Sequence, residues 1–144
     1  MQLTPYLFFN GRCDEALAFY RQALGAEIVM LMRFREAPDP PPPGMLPPGS
    51  EDKVMHSHAR IGDAEFMASD GNCSGQPGFQ GFSLSLTLPT EADVDRAFAA
   101  LAEQGRVDMP AGKTFWSPRF GMVTDRFGVQ WMLTVPPAGL SGPR

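Results

Sequence analysis

Histidine and cysteine occur only twice each in this 144-residue chain. So few residues cannot build a disulfide framework or a multi-histidine metal cage on their own. Cys13 and Cys73 stand far apart and outside any C-x-x-C pair, which favours two free thiols over a redox or metal role. Positive charge is also sparse. Twelve Lys and Arg against sixteen Asp and Glu leave a net charge of -4, the wrong balance for the concentrated basic face that nucleic acid requires. No apolar run approaches the roughly 18–20 residues of a membrane helix. The first residues lack a basic-then-apolar leader pattern, so the expected location is the cytoplasm. Neither G-x-G-x-x-G nor G-x-x-x-x-G-K occurs, which leaves a nucleotide-binding fold without support.

Proline, by contrast, is plentiful and clustered. Of 15 prolines, seven fall between Pro38 and Pro48, inside residues 37–49. Proline cannot donate a ladder hydrogen bond and favours extended polyproline conformations, so this stretch reads as one long loop. Strand-like sequence resumes at Val54, which argues against a domain linker. The plain reading is a surface loop; the functional one is a lid, or an arm that packs on a partner subunit.

The remaining chain, 43% hydrophobic overall, is enough for one core of ordinary size. Its order of elements occurs twice. A strand at Leu3–Phe9 turns at Asn10-Gly11 into a helix from about Asp14 to Leu24, where Leu17, Tyr20 and Leu24 recur at helical spacing. Gly25 supplies a left-handed stop, and a strand follows from Glu27 to Phe34. Beyond the proline-rich loop, Val54–Ile61 and Ala64–Ser69 flank Gly62-Asp63, a two-residue hairpin signal. In the second half, Phe82–Leu88 alternates strictly between apolar and polar residues, so one face is buried. Thr90-x-x-Asp93 resembles a capping box, with an aspartate shorter than the preferred glutamate. Val94, Ala97, Phe98 and Leu101 form a helical stripe that Gly105 ends. Strands near Val107, at Phe120–Thr124 and at Gln130–Val135 complete the plan. The repeat is one of architecture and not of residues.

Several segments together resemble one family. Thr4–Gly11, Glu15–Tyr20 and Leu24-Gly25-Ala26 look like the opening of PhnB-like members of the glyoxalase/bleomycin-resistance (vicinal oxygen chelate) superfamily. Lys53–His56 with Arg60–Asp63 looks like their third strand, and Phe115-Trp116 with Phe120–Met132 like their C-terminal signature. The resemblance implies an α+β fold: two βαβββ modules forming cupped mixed sheets around a cavity, with helices on the convex side, usually in a homodimer. It places one domain at 1–135, with modules of about 1–70 and 80–135, followed by a tail at 136–144. Proteins of this branch are sometimes labelled demethylubiquinone methyltransferases. A nucleoside-type methyl donor would need a glycine-rich strand-to-helix turn, and the chain has none.

Enzymes of the superfamily typically hold a divalent metal with one His, Glu or Gln from each of four strands and use it to polarise vicinal substrate oxygens. Carried over by strand and facing, those positions fall on Pro5, Met67, Ser83 and Met132. A proline ring cannot ligate, a thioether is a soft ligand suited to copper, and a serine hydroxyl is weak. No cofactor is therefore expected, and a metal-dependent lyase, isomerase or dioxygenase with ligands placed atypically is the alternative. His56 and His58 share one face of the third strand with Val54 and Arg60, while Met55, Ala59 and Ile61 lie opposite. A metal there wants a third ligand, which Glu65 across the hairpin would supply. More simply, His56, His58 and Arg60 make a cationic group that favours a small anion such as a carboxylate or phosphonate. The plain alternative is an edge strand facing water. Ser83, Ser85 and Thr87 point into the cup if Leu84, Leu86 and Leu88 cover the helix side, and Gln130 joins them beside Met132. Either they are a wetted face or they hydrogen-bond a ligand. Phe115, Trp116 and Trp131 read as core or rim aromatics, and Asp125 and Gly128 as turn residues. The candidate ligand-binding set is His56, His58, Arg60, Glu65, Ser83 and Gln130, in a homodimer that binds a small polar molecule.

Overall fold

A computed structural model of the chain describes residues 1–137 other than 40, 43, 74 and 76. From residue 138 on, the expected tail lies outside the described residues. The chain divides into two compact units, Met1–Gly78 and the portion from Phe79 on. Each holds a four-stranded mixed sheet and one α-helix, so the α+β class stands. No helix among the described residues is long and apolar enough to cross a membrane.

The first unit runs β1 (Tyr6–Phe8), α1 (Cys13–Leu24), β2 (Glu27–Arg33), β3 (Val54–Ile61) and β4 (Ala64–Ser69), with sheet order β1-β4-β3-β2. β1 lies parallel to β4, and the other pairs are antiparallel. β1 is shorter than the expected strand because Pro5 has no N–H to give; its carbonyl accepts from Met67 N at 2.9 Å and the ladder starts at Tyr6. Gly62 takes the left-handed conformation (φ 61°) that the two-residue β3–β4 turn needs. Gly25 does the same at the end of α1, where its N–H bonds Arg21 O. The buried stripe of α1 is Cys13, Ala16, Leu17 and Tyr20. Tyr20 meets Phe66 edge-on at 6.1 Å and Phe9 at 6.2 Å, which places α1 over the sheet face that also buries Leu7, Ala59 and Ala68. Burial of each large side chain stabilises by about 1.5–3 kcal/mol.

Arg12, at the N-cap of α1, gives no side-chain cap. Asp70, wholly buried just past β4, takes that role from across the chain. One of its oxygens accepts from Gly11 N and Cys13 N, the other from Val54 N, each at 2.8 Å. One carboxylate thereby ties the start of α1 to the start of β3.

The second unit repeats the connectivity: β5 (Leu84–Thr87), α2 (Glu91–Ala102), β6 (Arg106–Gly112), β7 (Phe120–Thr124) and β8 (Gln130–Thr134), in the order β5-β8-β7-β6. Thr90 caps α2, its hydroxyl oxygen accepting from Asp93 N at 3.1 Å. Leu84 and Leu86 stand in register with Trp131 and Leu133 on the buried face. Gly121, opposite Leu133, lies directly beneath Phe98 of α2; a Cβ there would sit 2.7 Å from the ring. Two expectations need correction. α2 ends at Ala102, and Gln104 (φ 60°), not Gly105, takes the left-handed turn. Gly105 serves a different purpose, because a Cβ on it would lie 2.3 Å from the Thr124 carbonyl oxygen. Asp125 is also more than a turn residue. It is buried and accepts from Phe127 N, Val129 N and Trp131 Nε1 at 2.8–3.1 Å, holding Trp131 in the core.

Candidate functional site

In each unit one sheet face is covered by a helix, and the other carries the candidate residues. In the first unit, alternation along β3 sends Ser57 and Ala59 into the core and His56, His58 and Arg60 to the opposite face. Val54, expected beside them, is fully buried instead. The β2–β3 ladder shifts register between the Met32/His56 and Arg33/Val54 pairs, and the Val54 N–H is drawn to Asp70, so the strand end turns inward.

Each member of the trio has a partner. The Tyr6 hydroxyl and His56 Nδ1 are 2.8 Å apart, with the two rings stacked at 5.5 Å. Phe8 stands 5.0 Å from Tyr6 on the same strand. Whichever of the two donates, Nε2 is the imidazole edge left for other contacts. His58 Nε2 lies 2.9 Å from Glu65, and Arg60 bonds Glu27 at 2.8 Å. That bond with Glu27 raises the Arg60 guanidinium above its usual range. The expected cationic cluster is therefore charge-compensated: a carboxylate already faces Arg60 and another faces His58. Glu65 reaches His58 as expected, but as a hydrogen-bond partner.

Ser83 and Gln130 meet in the second unit, where the serine hydroxyl donates to the Gln130 side-chain carbonyl. Gln130 Nε2 in turn donates to Asp108 at 3.1 Å, and Asp108 also accepts from Thr124 Oγ1 at 2.5 Å and Arg106 Nε at 2.8 Å. The Thr124 hydrogen bond does most to hold the Asp108 carboxyl below the usual carboxylate range; burial opposes it, and the bonds from Gln130 and Arg106 add to the lowering. Ser85 and Thr87 are exposed. The structure thus brings the six candidates together as two groups: His56, His58, Arg60 and Glu65 on the first sheet, Ser83 and Gln130 on the second.

Tyr6 and Asp108 were not singled out from sequence. For Tyr6 a signal existed, since Tyr6 and Phe8 alternate with the buried Leu7 and Phe9. Asp108 gave none; on the exposed edge strand β6 its importance comes only from side chains on β7 and β8. Trp131 belongs to the core, whereas Phe115 and Trp116 are exposed (97% and 43%) and pack edge-on at 4.8 Å.

The proline-rich loop has a tied base. Phe34 N bonds Lys53 O, Arg35 N bonds Glu51 O, and the Arg33 guanidinium grips Asp14 at 2.8 and 3.0 Å. It encloses an open hollow of about 1050 Å³ lined by Phe34, Pro41, Pro42, Met45 and Leu46 among others.

The four positions carried over for a divalent metal do not fit one. The register sets Tyr6, not Pro5, opposite Met67 and on its face, and Tyr6 is engaged by His56. Ser85 stands opposite Met132, with Ser83 two residues away on the same face. Thioethers and hydroxyls are poor donors to a hard divalent ion. Among the described residues no group of three or more His, Cys, Asp or Glu is gathered for a metal ion.

The fold and the two sheet faces define a class. The family profile of the Glyoxalase/Bleomycin resistance protein/Dioxygenase superfamily matches residues 2–133, and the chain belongs to that superfamily. Among its relatives, Protein YjdN of Escherichia coli (strain K12) is 38% identical over 142 residues, covering 94% of this chain and 95% of that protein. Protein PA1353 from Pseudomonas aeruginosa is similar in structure, with a TM-score of 0.81, 42% identity and coverage of 94% and 98% of the two chains. A PhnB protein from Bacillus cereus matches with a TM-score of 0.75, 33% identity and coverage of 94% and 99%. The resemblance to the PhnB-like branch therefore holds over nearly the whole chain.

Proposed function

We propose that this PhnB-like protein binds a small polar molecule on the helix-free face of its first sheet, at His56, and that it does so as a homodimer. The observation that carries this reading is the Tyr6–His56 couple. A hydrogen-bonded imidazole, oriented by a phenol and set beside Phe8 and the thioethers of Met32 and Met67, combines a few placed polar groups with an apolar surround. Because Arg60 and His58 already face carboxylates, a neutral or zwitterionic ligand suits the face better than the simple anion expected from the His56, His58 and Arg60 pattern. Ser83 and Gln130 offer comparable hydrogen-bonding capacity on the second sheet. Exposed apolar groups at Val107, Met109, Phe115 and Trp116 support a partner copy, since such surface is costly to leave in water.

The test is a thermal-shift panel of carboxylates, phosphonates, amino acids and polyols. A ligand at a hundredfold excess over its Kd stabilises by about 2.7 kcal/mol, a rise of several degrees. His56→Ala should abolish that rise and Tyr6→Phe weaken it, with Arg60→Ala close to wild type. A ligand shift untouched by His56→Ala contradicts the assignment. Light scattering at micromolar concentration should give a dimer mass.

A further inference from the structure

Four side chains stand in one register row across the first sheet: Tyr6 opposite Met67, Met67 opposite His58, and His58 opposite Met30. Directly opposed residues share a face with Cβ atoms about 4.5–5.5 Å apart. His58 is therefore flanked on both sides by thioethers on flexible stems. A register shift between Ile28/Ala59 and Met30/His58 leaves Val29 without a partner in the ladder and brings Met30 into the row. Without that shift, Val29 would stand beside His58. Met30 is 40% exposed and Met67 half-buried, so neither serves as core packing. The His58–Glu65 contact engages Nε2, which directs the remaining ring nitrogen, Nδ1, away from the carboxylate.

We infer that His58, Met30 and Met67 form a binding site for a soft monovalent cation, Cu(I), with Glu65 as the positioning residue. An imidazole whose other nitrogen is held by a carboxylate is the usual metal-ligating arrangement. Two neutral, soft thioethers beside a neutral, borderline imidazole select Cu(I) over Mg²⁺, Mn²⁺ or Ca²⁺. The carboxylates of Glu65 and Glu27 supply the negative field, offset in part by Arg60. The second sheet repeats the row as Met109–Met122–Met132–Ser85, with thioethers and no imidazole, and so provides an internal comparison. The site involves neither His56 nor Tyr6 as a ligand, and Met67 alone is shared with the ligand face described above.

The experiment uses the full chain carrying Cys73→Ser, because an accessible thiol competes for Cu(I). Cu(I) is supplied anaerobically from a chromogenic chelator, and the methionine methyl groups are followed by NMR; Ag(I) serves as the redox-inert probe. The expected result is one equivalent bound per chain, with the methyl signals of Met30 and Met67 displaced. Met67→Leu, which conserves volume, and His58→Ala should each weaken binding at least about tenfold, and Glu65→Ala by about 10–100-fold. Met132→Leu, in the second-sheet row, should leave it unchanged. Failure to take Cu(I) from the chelator, affinity unaffected by Met67→Leu and His58→Ala, or methyl shifts confined to Met109, Met122 and Met132 each overturn the inference. Should the His58 variant be misfolded by circular dichroism, Met67→Leu alone decides.

Discussion

Replacing Asp70 is the sharpest perturbation of the first unit. The buried carboxylate accepts three backbone N–H groups, two at the entry to α1 and one at the start of β3, all at 2.8 Å. Each hydrogen bond to a charged group contributes about 1.5–3 kcal/mol, and the three share one acceptor, so they are not independent. Asp70→Ala should cost about 4 kcal/mol, a large share of the 5–15 kcal/mol typical of a folded domain. Asp70→Asn keeps one acceptor oxygen but turns an amide N–H₂ toward a donor. With the carbonyl toward Gly11 and Cys13, the clash falls on Val54, and about 2 kcal/mol is lost. Urea unfolding followed by far-UV circular dichroism gives both values. Hydrogen exchange supplies the local readout, since the Cys13 and Val54 amides should lose protection ahead of those in the middle of β3. An Asp70→Ala protein within about 1 kcal/mol of wild type would show that this carboxylate does not anchor α1 and β3.

Asp108→Asn should destabilise by about 1 kcal/mol at neutral pH through its lost hydrogen bonds. Because the folded-state carboxyl lies below its ordinary value of ~3.9, that difference holds above this pH and closes as acid protonates wild-type Asp108, a trend that pH-resolved denaturation checks. Thiol titration should find one accessible cysteine in the native protein and two after unfolding. Cys13 is fully buried and its thiol is pushed far upward, first by desolvation and then by Asp70, while Cys73 is partly open and raised less. Gly105→Ala should cost about 3 kcal/mol, because a Cβ 2.3 Å from the Thr124 backbone oxygen forces β7 and the α2–β6 turn apart; a melting temperature equal to wild type counts against that close approach.

Sequence patterning was most legible where local chemistry acts alone. The Gly62-Asp63 hairpin, the Thr90 cap and the Gly25 stop are short-range signals, and the structure has all three. It was least legible where distant segments meet. Asp70 caps a helix that starts 57 residues earlier, as the Cys13 bond records, and Asp108 is defined by partners on two other strands. Gly105 looks like a helix stop, yet its lack of a side chain answers a carbonyl on β7. Alternation misplaces the facing of Pro5 and Val54 because it presumes regular strands. A proline at a strand entry and a register shift near the loop both break that assumption. A second register shift, between Ile28/Ala59 and Met30/His58, hides the Met30–His58–Met67 row, since plain alternation gives no reason to set Met30, instead of Val29, against His58. Of the candidate residues, the histidine face is visible as an i, i+2 pattern and Glu65 through the hairpin, while Glu27, which compensates Arg60, emerges only from pairing.

The claim that the helix-free face of the first sheet is the functional surface is tested most directly by methionine-methyl NMR of the intact protein, titrated with the hits of the thermal-shift panel. Six of the nine methionines serve as reporters: Met30, Met32 and Met67 on that face, Met122 and Met132 on the second sheet, and Met45 beside the proline-rich hollow. Binding on that face gives saturable shifts at Met32 and Met67 that vanish in His56→Ala. Binding that moves Met45 alone, and persists in His56→Ala, would contradict it and place function in the loop.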